Sequence, residues 1–487
     1  MRACAAVAVG IALAVASVIG ARASTAPVQP ARLSLAVSSA PAAASGTQLW
    51  VKRYNGPGNG ADVAESVAAS PSGKTVYVTG YSHGSPVSEA GDYATIAYNA
   101  TTGAQLWLKR YNGPGSHGGE GQSVVVSPSG KTIYVTGYVF VSALSPGTEF
   151  ATVAYNAITG AQLWVKFYSG GEVGADDEPY AMAVSPSGTT VFVTGQTYGS
   201  DSGSPYYVTL AYNAATGAQR WAKTYEGAGN IGYTAEAAAS VTVSPSGTTV
   251  FVTGQGATSS QPDYATIAYN ATTGAQLWVA RYEYPASSVG TATSVAVSPS
   301  GKSVFVTGYY EAAASAGYAT IAYNAASGKQ LWVKRYSPAG GSDAAYSAAV
   351  SPSGKTVYVT GGVYGGGGEG SEDYATIAYN AASGAQLWAK RYSPGGTSYA
   401  HAVAVSPSGK TVYVTGISAG DFATVGLNAV TGAQLWVKRY AGAGIAALPG
   451  GGLSMAVSRA TGTVFVAGYA VWKNTSGYDY TTIAYHG

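Results

Sequence analysis

A phrase ending in tryptophan recurs eight times along this chain and constrains its fold more than any other feature. In the second copy, residues 103–107 read Gly-Ala-Gln-Leu-Trp, and successive tryptophans are 57, 57, 57, 57, 54, 56 and 48 residues apart. A period in this range is typical of stacked supersecondary units that pack on their neighbours. We therefore interpret residues that recur in every copy as structural rather than catalytic. The eight tryptophans are Trp50, Trp107, Trp164, Trp221, Trp278, Trp332, Trp388 and Trp436.

One repeat has the pattern of four short β-strands, which we name A to D in chain order. In the copy from Gln122 to Tyr168, runs rich in β-branched and aromatic residues are separated by turn residues such as Pro-Ser-Gly at 128–130. No segment keeps a 3.6-residue apolar period for ten residues, so little helix is expected. The four predicted strands of this copy span 123–127, 132–137, 150–155 and 162–168.

The two ends of the repeat array complement each other. The array begins with a lone D strand at 47–54 and finishes after a lone C strand at 480–485. The first strand can therefore complete the last blade and leave no free sheet edge at the seam. We predict an all-β fold over residues 47–487, an eight-bladed β-propeller of four-stranded antiparallel blades, closed by the N-terminal strand joining the last blade.

The first 46 residues differ from the repeats in composition. Arg2 precedes an apolar run at 5–20, and Ala-Arg-Ala at 21–23 fits a signal-peptide cleavage site. We expect residues 1–23 to be a signal peptide and the mature protein to be secreted and extracellular, with no membrane span after cleavage. The alternative is a retained anchor, although the run is shorter than the ~20 residues that span a bilayer. Residues 24–46, rich in Ala, Pro and Ser, read as a flexible linker.

Charge and cysteine content exclude two further classes of protein. Without Arg2 and Arg22, 23 basic residues face 22 acidic ones, which argues against nucleic acid as a partner, because phosphate binding needs a concentrated basic surface. The single cysteine, Cys4, lies in the predicted signal peptide. The mature chain is therefore expected to gain its stability from packing rather than from disulfides, and to be a monomer.

The variation among the repeats falls on one face of the predicted propeller. The A–B turns (Ser-Pro-Ser-Gly in most copies) and the C–D turns hardly vary, and we call their side the turn face. The D–A and B–C connections vary in length and carry all 22 acidic residues, and we call their side the loop face. Variable loops on a rigid scaffold are typical of binding surfaces. The acids have an alternative explanation in solubility and in the turn preference of Asp.

The candidate ligand-binding residues break the repeat at the start of strand A. Strand A is expected to be innermost, so side chains five residues before its terminal Ser are predicted to ring a central channel, where polar and aromatic groups suit a carbohydrate or another small ligand. Loosely constrained strand starts are the alternative. The aligned residues are Glu65, Gln122, Tyr180, Ala239, Thr293, Tyr346, His401 and Leu453. The predicted binding set is Glu65, Gln122, Tyr180, Tyr346 and His401, together with Trp472, the one tryptophan outside the repeats, in the last B–C loop.

Two parts of the repeat resemble known families. Residues 97–107, Ala-Tyr-Asn-Ala-Thr-Thr-Gly-Ala-Gln-Leu-Trp, resemble the tryptophan-docking motif of quinoprotein dehydrogenases, which six copies match in full and the copy at Leu427 does not. Residues 403–416 resemble the repeats of secreted propellers of the SBBP and YVTN kind. The resemblance implies an eight-bladed propeller. The enzymes of the quinoprotein family hold pyrroloquinoline quinone and calcium with acidic ligands at the channel, so the resemblance also implies such a site.

The catalytic features of that family are not recognisable in this sequence. The mature chain has no cysteine pair, and no residue matches the family's catalytic aspartate. The four histidines show no metal-ligand spacing, so no catalytic residue, cofactor or metal ligand is assigned. The sequence favours a secreted, non-enzymatic binding or scaffold propeller for an extracellular glycan, protein or small ligand. The alternative is an extracellular quinoprotein-like oxidoreductase, or another enzyme with its site at the central channel.

Overall fold

The computed structural model describes most of the repeat region. The described residues are 44–85, 88–141, 147–171, 174–198, 205–227, 236–257, 261–284, 289–312, 315–338, 341, 343–365, 372–441, 451–471 and 477–487. The predicted signal peptide, most of the predicted linker and Trp472 lie outside these residues. Residues 43–487 form one compact unit.

The described residues form an eight-bladed, all-β propeller, which confirms the predicted fold. Each blade is an antiparallel sheet of four strands in the order A-B-C-D. A single turn of 3-10 helix at Pro114–Ser116 is the only helix among the described residues, and no described helix is long and apolar enough to cross a membrane.

The strands of blades 1 to 4 are as follows. Blade 1 holds β2 (Asp62–Ala69), β3 (Thr75–Ser85), β4 (Ser88–Asn99) and β5 (Gln105–Tyr111). Blade 2 holds β6 (Gly119–Val126), β7 (Thr132–Phe140), β8 (Thr148–Asn156) and β9 (Gln162–Tyr168). Blade 3 holds β10 (Glu178–Val184), β11 (Thr190–Tyr198), β12 (Pro205–Asn213) and β13 (Gln219–Tyr225). Blade 4 holds β14 (Ala237–Val243), β15 (Thr249–Ala257), β16 (Pro262–Asn270) and β17 (Gln276–Tyr282).

Blades 5 to 8 follow the same plan. Blade 5 holds β18 (Val289–Val297), β19 (Ser303–Ala312), β20 (Ser315–Asn324) and β21 (Gln330–Tyr336). Blade 6 holds β22 (Ala344–Val350), β23 (Thr356–Tyr364), β24 (Glu372–Asn380) and β25 (Gln386–Tyr392). Blade 7 holds β26 (Ser398–Val405), β27 (Thr411–Ser418), β28 (Asp421–Asn428) and β29 (Gln434–Tyr440). Blade 8 holds β30 (Gly451–Val457), β31 (Val464–Val471), β32 (Tyr478–Tyr485) and, as its D strand, β1 (Gln48–Tyr54).

The repeated tryptophans link neighbouring blades. Each is only 7–9% exposed and packs at the boundary with the following blade. The indole N–H of Trp107 donates to the carbonyl oxygen of Ala157 at 3.1 Å, and the hydroxyl of Tyr77 donates to the same oxygen at 3.1 Å. Burying an aromatic ring of 150–250 Å² favours the closed ring of blades and explains why these residues recur.

The seam between the chain's ends reproduces an ordinary C–D turn. β1 pairs antiparallel with β32, as the lone terminal strands predicted. The amide of Gly46 donates to the carbonyl of His486 at 2.7 Å, just as that of Gly103 donates to Asn99 at 2.8 Å. Trp436 donates to the hydroxyl of Ser45 at 3.0 Å. Ser45 and Gly46, which the sequence analysis placed in the linker, thus take part in closing the propeller.

The A strands form the inner ring, in which each contacts the A strands of both neighbouring blades. An A strand has a partner strand on one side only, so amides on its other side need hydrogen-bond acceptors. The hydroxyl of Ser66 accepts the amide of Val124 in the next blade at 3.1 Å, and Ser454 likewise accepts that of Val67 at 3.2 Å. These bonds fix the A strands around the axis of the propeller.

Candidate functional site at the inner ring

Each A strand carries a β-bulge at the same place. In β6, the pairing with β7 reaches Gly121↔Gly137 and resumes at Ser123↔Thr136, so that Gln122 is skipped. A bulge bends the strand and redirects the side chain of the extra residue. The skipped residues of the eight blades are Glu65, Gln122, Tyr180, Ala239, Thr293, Tyr346, His401 and Leu453. These are the positions that the sequence analysis aligned as candidates.

The glycine that ends each Val-Thr-Gly phrase is explained by this bulge. A Cβ atom on Gly137 would overlap the carbonyl oxygen of Glu120, and one on Gly195 would overlap that of Glu178. The bulged A strand therefore approaches strand B too closely for any side chain at this position. A glycine repeated within a strand is a known signal of a bulge, and the sequence analysis did not use it.

Three carboxylates of blades 1 to 3 lie on adjacent parts of the inner ring. Glu65 is a bulged residue, whereas Glu120 and Glu178 each lie two residues before one. The hydroxyl of Tyr138 donates to Glu120 at 2.9 Å, and that of Tyr180 donates to Glu178 at 2.7 Å. We call this group the acidic sector, which comprises Glu65, Glu120, Gln122, Tyr138, Glu178 and Tyr180.

The carboxylates of the acidic sector affect one another's ionisation. Burial raises the pKa of Glu65 to about 7, and the charge of Glu120 acts in the same direction. Burial also raises the pKa of Glu120, with the hydrogen bond from Tyr138 opposing it and the charge of Glu178 adding to it. None of the eight bulged residues is Lys or Arg. A positively charged group would therefore be attracted to this part of the ring.

A second group of polar and aromatic residues lies in blades 6 and 7. The rings of Tyr346 and His401 are 5.6 Å apart between centroids, at an interplanar angle of 30°. Burial lowers the pKa of His401, which is therefore neutral at pH 7, and its Nε2 has no hydrogen-bond partner among the described residues. Burial raises the pKa of Tyr346 to about 12, helped by the charge of Glu372. We call Tyr346, Glu372, Tyr399 and His401 the aromatic sector.

The predicted site residues thus fall into two groups rather than one. Glu65, Gln122 and Tyr180 belong to the acidic sector, and Tyr346 and His401 to the aromatic sector. The remaining prediction, Trp472, lies outside the described residues. Of the other bulged residues, Thr293 donates to the carbonyl of Ala345 at 2.9 Å, whereas Ala239 and Leu453 offer no polar side-chain group.

Glu120, Glu178 and Tyr138 are not among the site residues predicted from the sequence. The first two occupy the aligned position two residues before the bulge, and Tyr138 directly follows the glycine of strand B and pairs with Glu120. An alignment of the repeats extended by two residues would have found the two acids. Their approach to Glu65 depends on the packing of separate blades.

Several other acids of the loop face hold loops in place. Asp62 is fully buried and accepts the amides of Gly56 at 2.6 Å and His83 at 3.1 Å. Asp177 accepts the amides of Gly170 at 2.8 Å and Tyr198 at 3.0 Å in the same way. In each case one carboxylate ties the D–A connection to the B–C connection. These acids satisfy buried backbone donors, so their oxygens have a structural role in the loops.

Further acids pair with arginines at the ends of the D strands. Arg110 lies 2.7 Å from Asp92, and Arg281 lies 2.7 Å from Asp263. The other pairs among the described residues are Arg53–Asp479, Arg391–Asp373 and Arg439–Asp421. Part of the negative charge on the loop face is therefore neutralised within blades 1, 4, 6, 7 and 8, whereas no such pair among the described residues involves the acidic sector.

The described residues do not supply the calcium and quinone site that the resemblance implies. No group of three His, Cys, Asp or Glu side chains among them is arranged to hold a metal ion. Glu120 and Glu178 already accept hydrogen bonds from tyrosine or glutamine side chains of their own blades, which leaves fewer of their oxygen lone pairs for a metal ion. No oxidation step is therefore derived for this protein.

Solved structures with a similar fold have diverse partners and activities. BamB from Moraxella catarrhalis matches with a TM-score of 0.52 at 14% identity, over 91% of this chain and all of the other. Sqt1 from Chaetomium thermophilum, bound to the N-terminus of the ribosomal protein L10, matches with a TM-score of 0.57 at 12% identity, over 88% and 97%. The quinohemoprotein alcohol dehydrogenase ADHIIG from Pseudomonas putida HK5 matches with a TM-score of 0.51 at 14% identity, over 91% and 76%.

The repeats themselves match a known sequence family. The comparison with curated proteins found no match to this chain. The family described as outer membrane protein assembly factor BamB matches over residues 36–266, 207–370 and 371–473, which together cover most of the chain. With the eight-bladed fold and its repeated tryptophan hairpins, this match shows that the chain belongs to the BamB-like family of pyrroloquinoline-quinone-like propeller repeats.

Proposed function

We propose that this protein is a secreted, non-enzymatic binding propeller that receives a positively charged group of a protein partner at the acidic sector. The observation that carries the proposal is the set of bulges in the inner ring. At this one position per blade the repeat loses its sequence identity; Glu65 occupies it in blade 1, and Glu120 and Glu178 lie two residues before it in blades 2 and 3, where their charges act on one another's ionisation. The N-terminal signal-like sequence supports secretion.

The chemistry of the acidic sector favours a lysine or arginine side chain as the bound group. Partial burial of the carboxylates lowers the local dielectric and strengthens their attraction for a cation. The phenol rings of Tyr138 and Tyr180 add faces on which a cation can rest. The hydrogen bonds from these tyrosines orient the carboxylates before the ligand arrives, which reduces the entropy lost on binding.

The relatives supply a precedent for a protein ligand. The Sqt1 structure contains the N-terminus of a ribosomal protein, so a propeller of similar fold can receive a terminal segment of another protein. In the present chain, an extracellular protein with an exposed basic segment is the corresponding partner. Many of the other loop-face acids that the structure describes are bonded to backbone amides or to arginines, which favours the acidic sector as the site for such a segment.

A peptide array tests this proposal. Each peptide is displayed once with free lysines and once with acetylated lysines, and the full-length protein is applied at pH 8. Binding is expected to require the free lysines. The triple variant Glu65→Gln/Glu120→Gln/Glu178→Gln should lose about tenfold or more in affinity, equivalent to ~1.4 kcal/mol.

A matched control has the same change in charge elsewhere. Glu226, Glu283 and Glu311 are exposed and lie on the loop face outside the acidic sector. Their triple replacement by Gln should leave peptide binding within about twofold of the wild type, because exposed single charges contribute little. Equal loss in both triple variants, or binding that is indifferent to lysine acetylation, would contradict the proposed site.

A further inference from the structure

One of the eight blade boundaries lacks an aromatic ring that the others have. Seven C strands have a tyrosine as their last apolar residue, and in blade 7 the corresponding residue is Leu427, preceded by Gly426 where the other blades have Ala. The seven tyrosines pack on the D-strand tryptophan of the preceding blade, with ring centroids 6.0–6.3 Å apart. They are Tyr98, Tyr155, Tyr212, Tyr269, Tyr323, Tyr379 and Tyr485. Trp388 has no such partner, because Leu427 stands opposite it.

Tyr485, at the boundary of blades 7 and 8, shows how the tyrosine packs at a boundary that has one. The ring of Tyr485 is buried at the boundary between blades 7 and 8, 6.1 Å from that of Trp436. Burial raises the pKa of Tyr485 and the side chain of Thr424 in the preceding C strand opposes this, which places the threonine near the hydroxyl, although no described residue meets the distance and angle of a hydrogen bond to it. The phenol therefore fills a space between a tryptophan and a C-strand threonine. In blade 6 these two residues are Trp388 and Thr376.

At the boundary of blades 6 and 7 this space is open on the side of the threonine. A pocket of about 100 Å³ lies there, and its lining includes Thr376, Lys390, Tyr392, Val425, Leu427 and Gly432 but not Trp388. Thr376 is 3% exposed, whereas the equivalent threonines of the seven other blades are 0% exposed. Those threonines are Thr95, Thr152, Thr209, Thr266, Thr320, Thr424 and Thr482.

The lysine beside the pocket also takes a different course. At two other boundaries, the lysine atom nearest to the C–D turn glycine is Cε: that of Lys52 at Gly103 and that of Lys334 at Gly384. At Gly432 the nearest lysine atom is instead Cγ of Lys390. The side chain of Lys390 therefore crosses the blade boundary at another point along its length. Its methylene stem forms one wall of the pocket, and its ammonium group is free to remain in solvent.

We propose that this pocket binds a free, single-ring phenol, with the ring in the volume that tyrosine fills at the other boundaries and the hydroxyl directed at Thr376. The hydroxyl of Thr360 donates its one proton to the carbonyl of Ala375 at 2.9 Å. In the 3.0 Å hydrogen bond between Thr360 and Thr376, the hydroxyl of Thr376 is therefore the donor. The oxygen of Thr376 is thus left to accept the phenol's proton. Engineered apolar cavities of roughly 150 Å³ bind benzene, so a pocket of this scale suits one ring. The site is separate from the acidic sector and independent of the proposed function.

Fluorine NMR with para-fluorophenol tests the pocket on the full chain. Wild-type protein should show one saturable site. Leu427→Tyr places the chain's own phenol in the space and should abolish this site. Tyr98→Leu opens the equivalent space between blades 8 and 1 and should raise the number of sites from one to two.

Thermal unfolding of each variant distinguishes binding from misfolding. Leu427→Tyr should melt at a higher temperature than the wild type, because it fills a void; Leu427→Phe replaces it if the tyrosine variant does not fold. If Tyr98→Leu does not fold, Tyr323→Leu is used in its place. Absence of saturable binding in the wild type, unchanged binding in the filled variant, or a single site in the opened variant would each overturn the proposal.

Discussion

The eight bulged residues show how one backbone position can have different uses in different blades. Thr293 uses its hydroxyl to bond the next blade, whereas Glu65 and Tyr180 extend a cluster of carboxylates and phenols. The backbone of the bulge is fixed by the neighbouring glycine and by A-strand pairing, so the side chain is free to vary without loss of the fold. Variation at this position is therefore compatible with a site that differs around the ring.

The ionisation of Glu65 gives a prediction about stability. Its pKa is raised from 4.5 to about 7, mainly by burial, so the folded protein holds the proton more tightly than the unfolded chain does. The free energy of unfolding should therefore fall as the pH rises from about 4.5 to about 7, by at most ~3 kcal/mol. Glu65→Gln should remove this loss, matching the wild type near pH 4 and exceeding it in stability at pH 8. Urea unfolding at both pH values measures the difference.

An exposed glutamate provides the control for that experiment. Glu226→Gln removes a carboxylate from the same face but should leave the pH dependence of unfolding unchanged, because solvent screens the exposed group. An identical pH dependence in Glu65→Gln and the wild type would show that this carboxyl ionises normally.

At the scale of strands, the repeated phrase Val-Thr-Gly and the bulge in strand A depend on each other. The carbonyl of the residue two before the bulge occupies the space where a side chain of strand B would lie. Serine hydroxyls just after the bulge then accept amides of the next A strand. The conformation of one strand thus sets the contacts between blades.

Adding one methyl group to strand B tests this dependence. Gly137→Ala should destabilise the protein by roughly 2–3 kcal/mol, because the new Cβ overlaps backbone that cannot move without disrupting the A strand. Gly290→Ala is the matched control, since its nearest neighbours are 3.3 Å away and belong largely to a tyrosine ring. The control should change stability by less than ~1 kcal/mol. Equal melting temperatures for the two variants would show that the bulge tolerates a side chain in strand B.

For the whole molecule, the seam decides whether the ring closes. β1 supplies the outer strand of blade 8, and Trp50 donates to the carbonyl of Ala100 in blade 1 at 3.0 Å. Ser45 and Gly46 meanwhile receive Trp436 from blade 7. One short segment thus joins three blades, as the C–D hairpin of blade 1 does, where Gly103 lies against Trp50 and Trp107 donates to Ala157.

Truncation separates this segment from the residues before it. Deletion of residues 1–54 removes β1 and leaves β32 with an unpaired edge, so the protein should aggregate and melt at a lower temperature. Deletion of residues 1–43 keeps the seam and should leave both properties unchanged. Size-exclusion chromatography with light scattering, together with thermal melting, reports the outcome. A monomeric and equally stable product from the longer deletion would contradict the role of the seam.

The site could be predicted only in part from the sequence. Alignment of the repeats identified Glu65, Gln122, Tyr180, Tyr346 and His401 as the positions where the copies differ, and the structure places all five at bulges. The alignment gave no sign that these five residues divide into two sectors. That division depends on the order of the blades around the ring and on side chains from neighbouring strands.

By itself, the sequence determined the number of blades, the four strands in each and the closure by the first strand, because a period repeated eight times leaves few ways to bury its tryptophans. The tertiary structure alone decided which charges stay available to a ligand and where the packing is incomplete. The acids of the loop face look alike in sequence, yet Asp62 binds loop amides, Asp263 binds Arg281, and Glu65 lies beside Glu120. The physical reason is that burial and the nearest charged partner depend on distances between blades, which no local pattern contains.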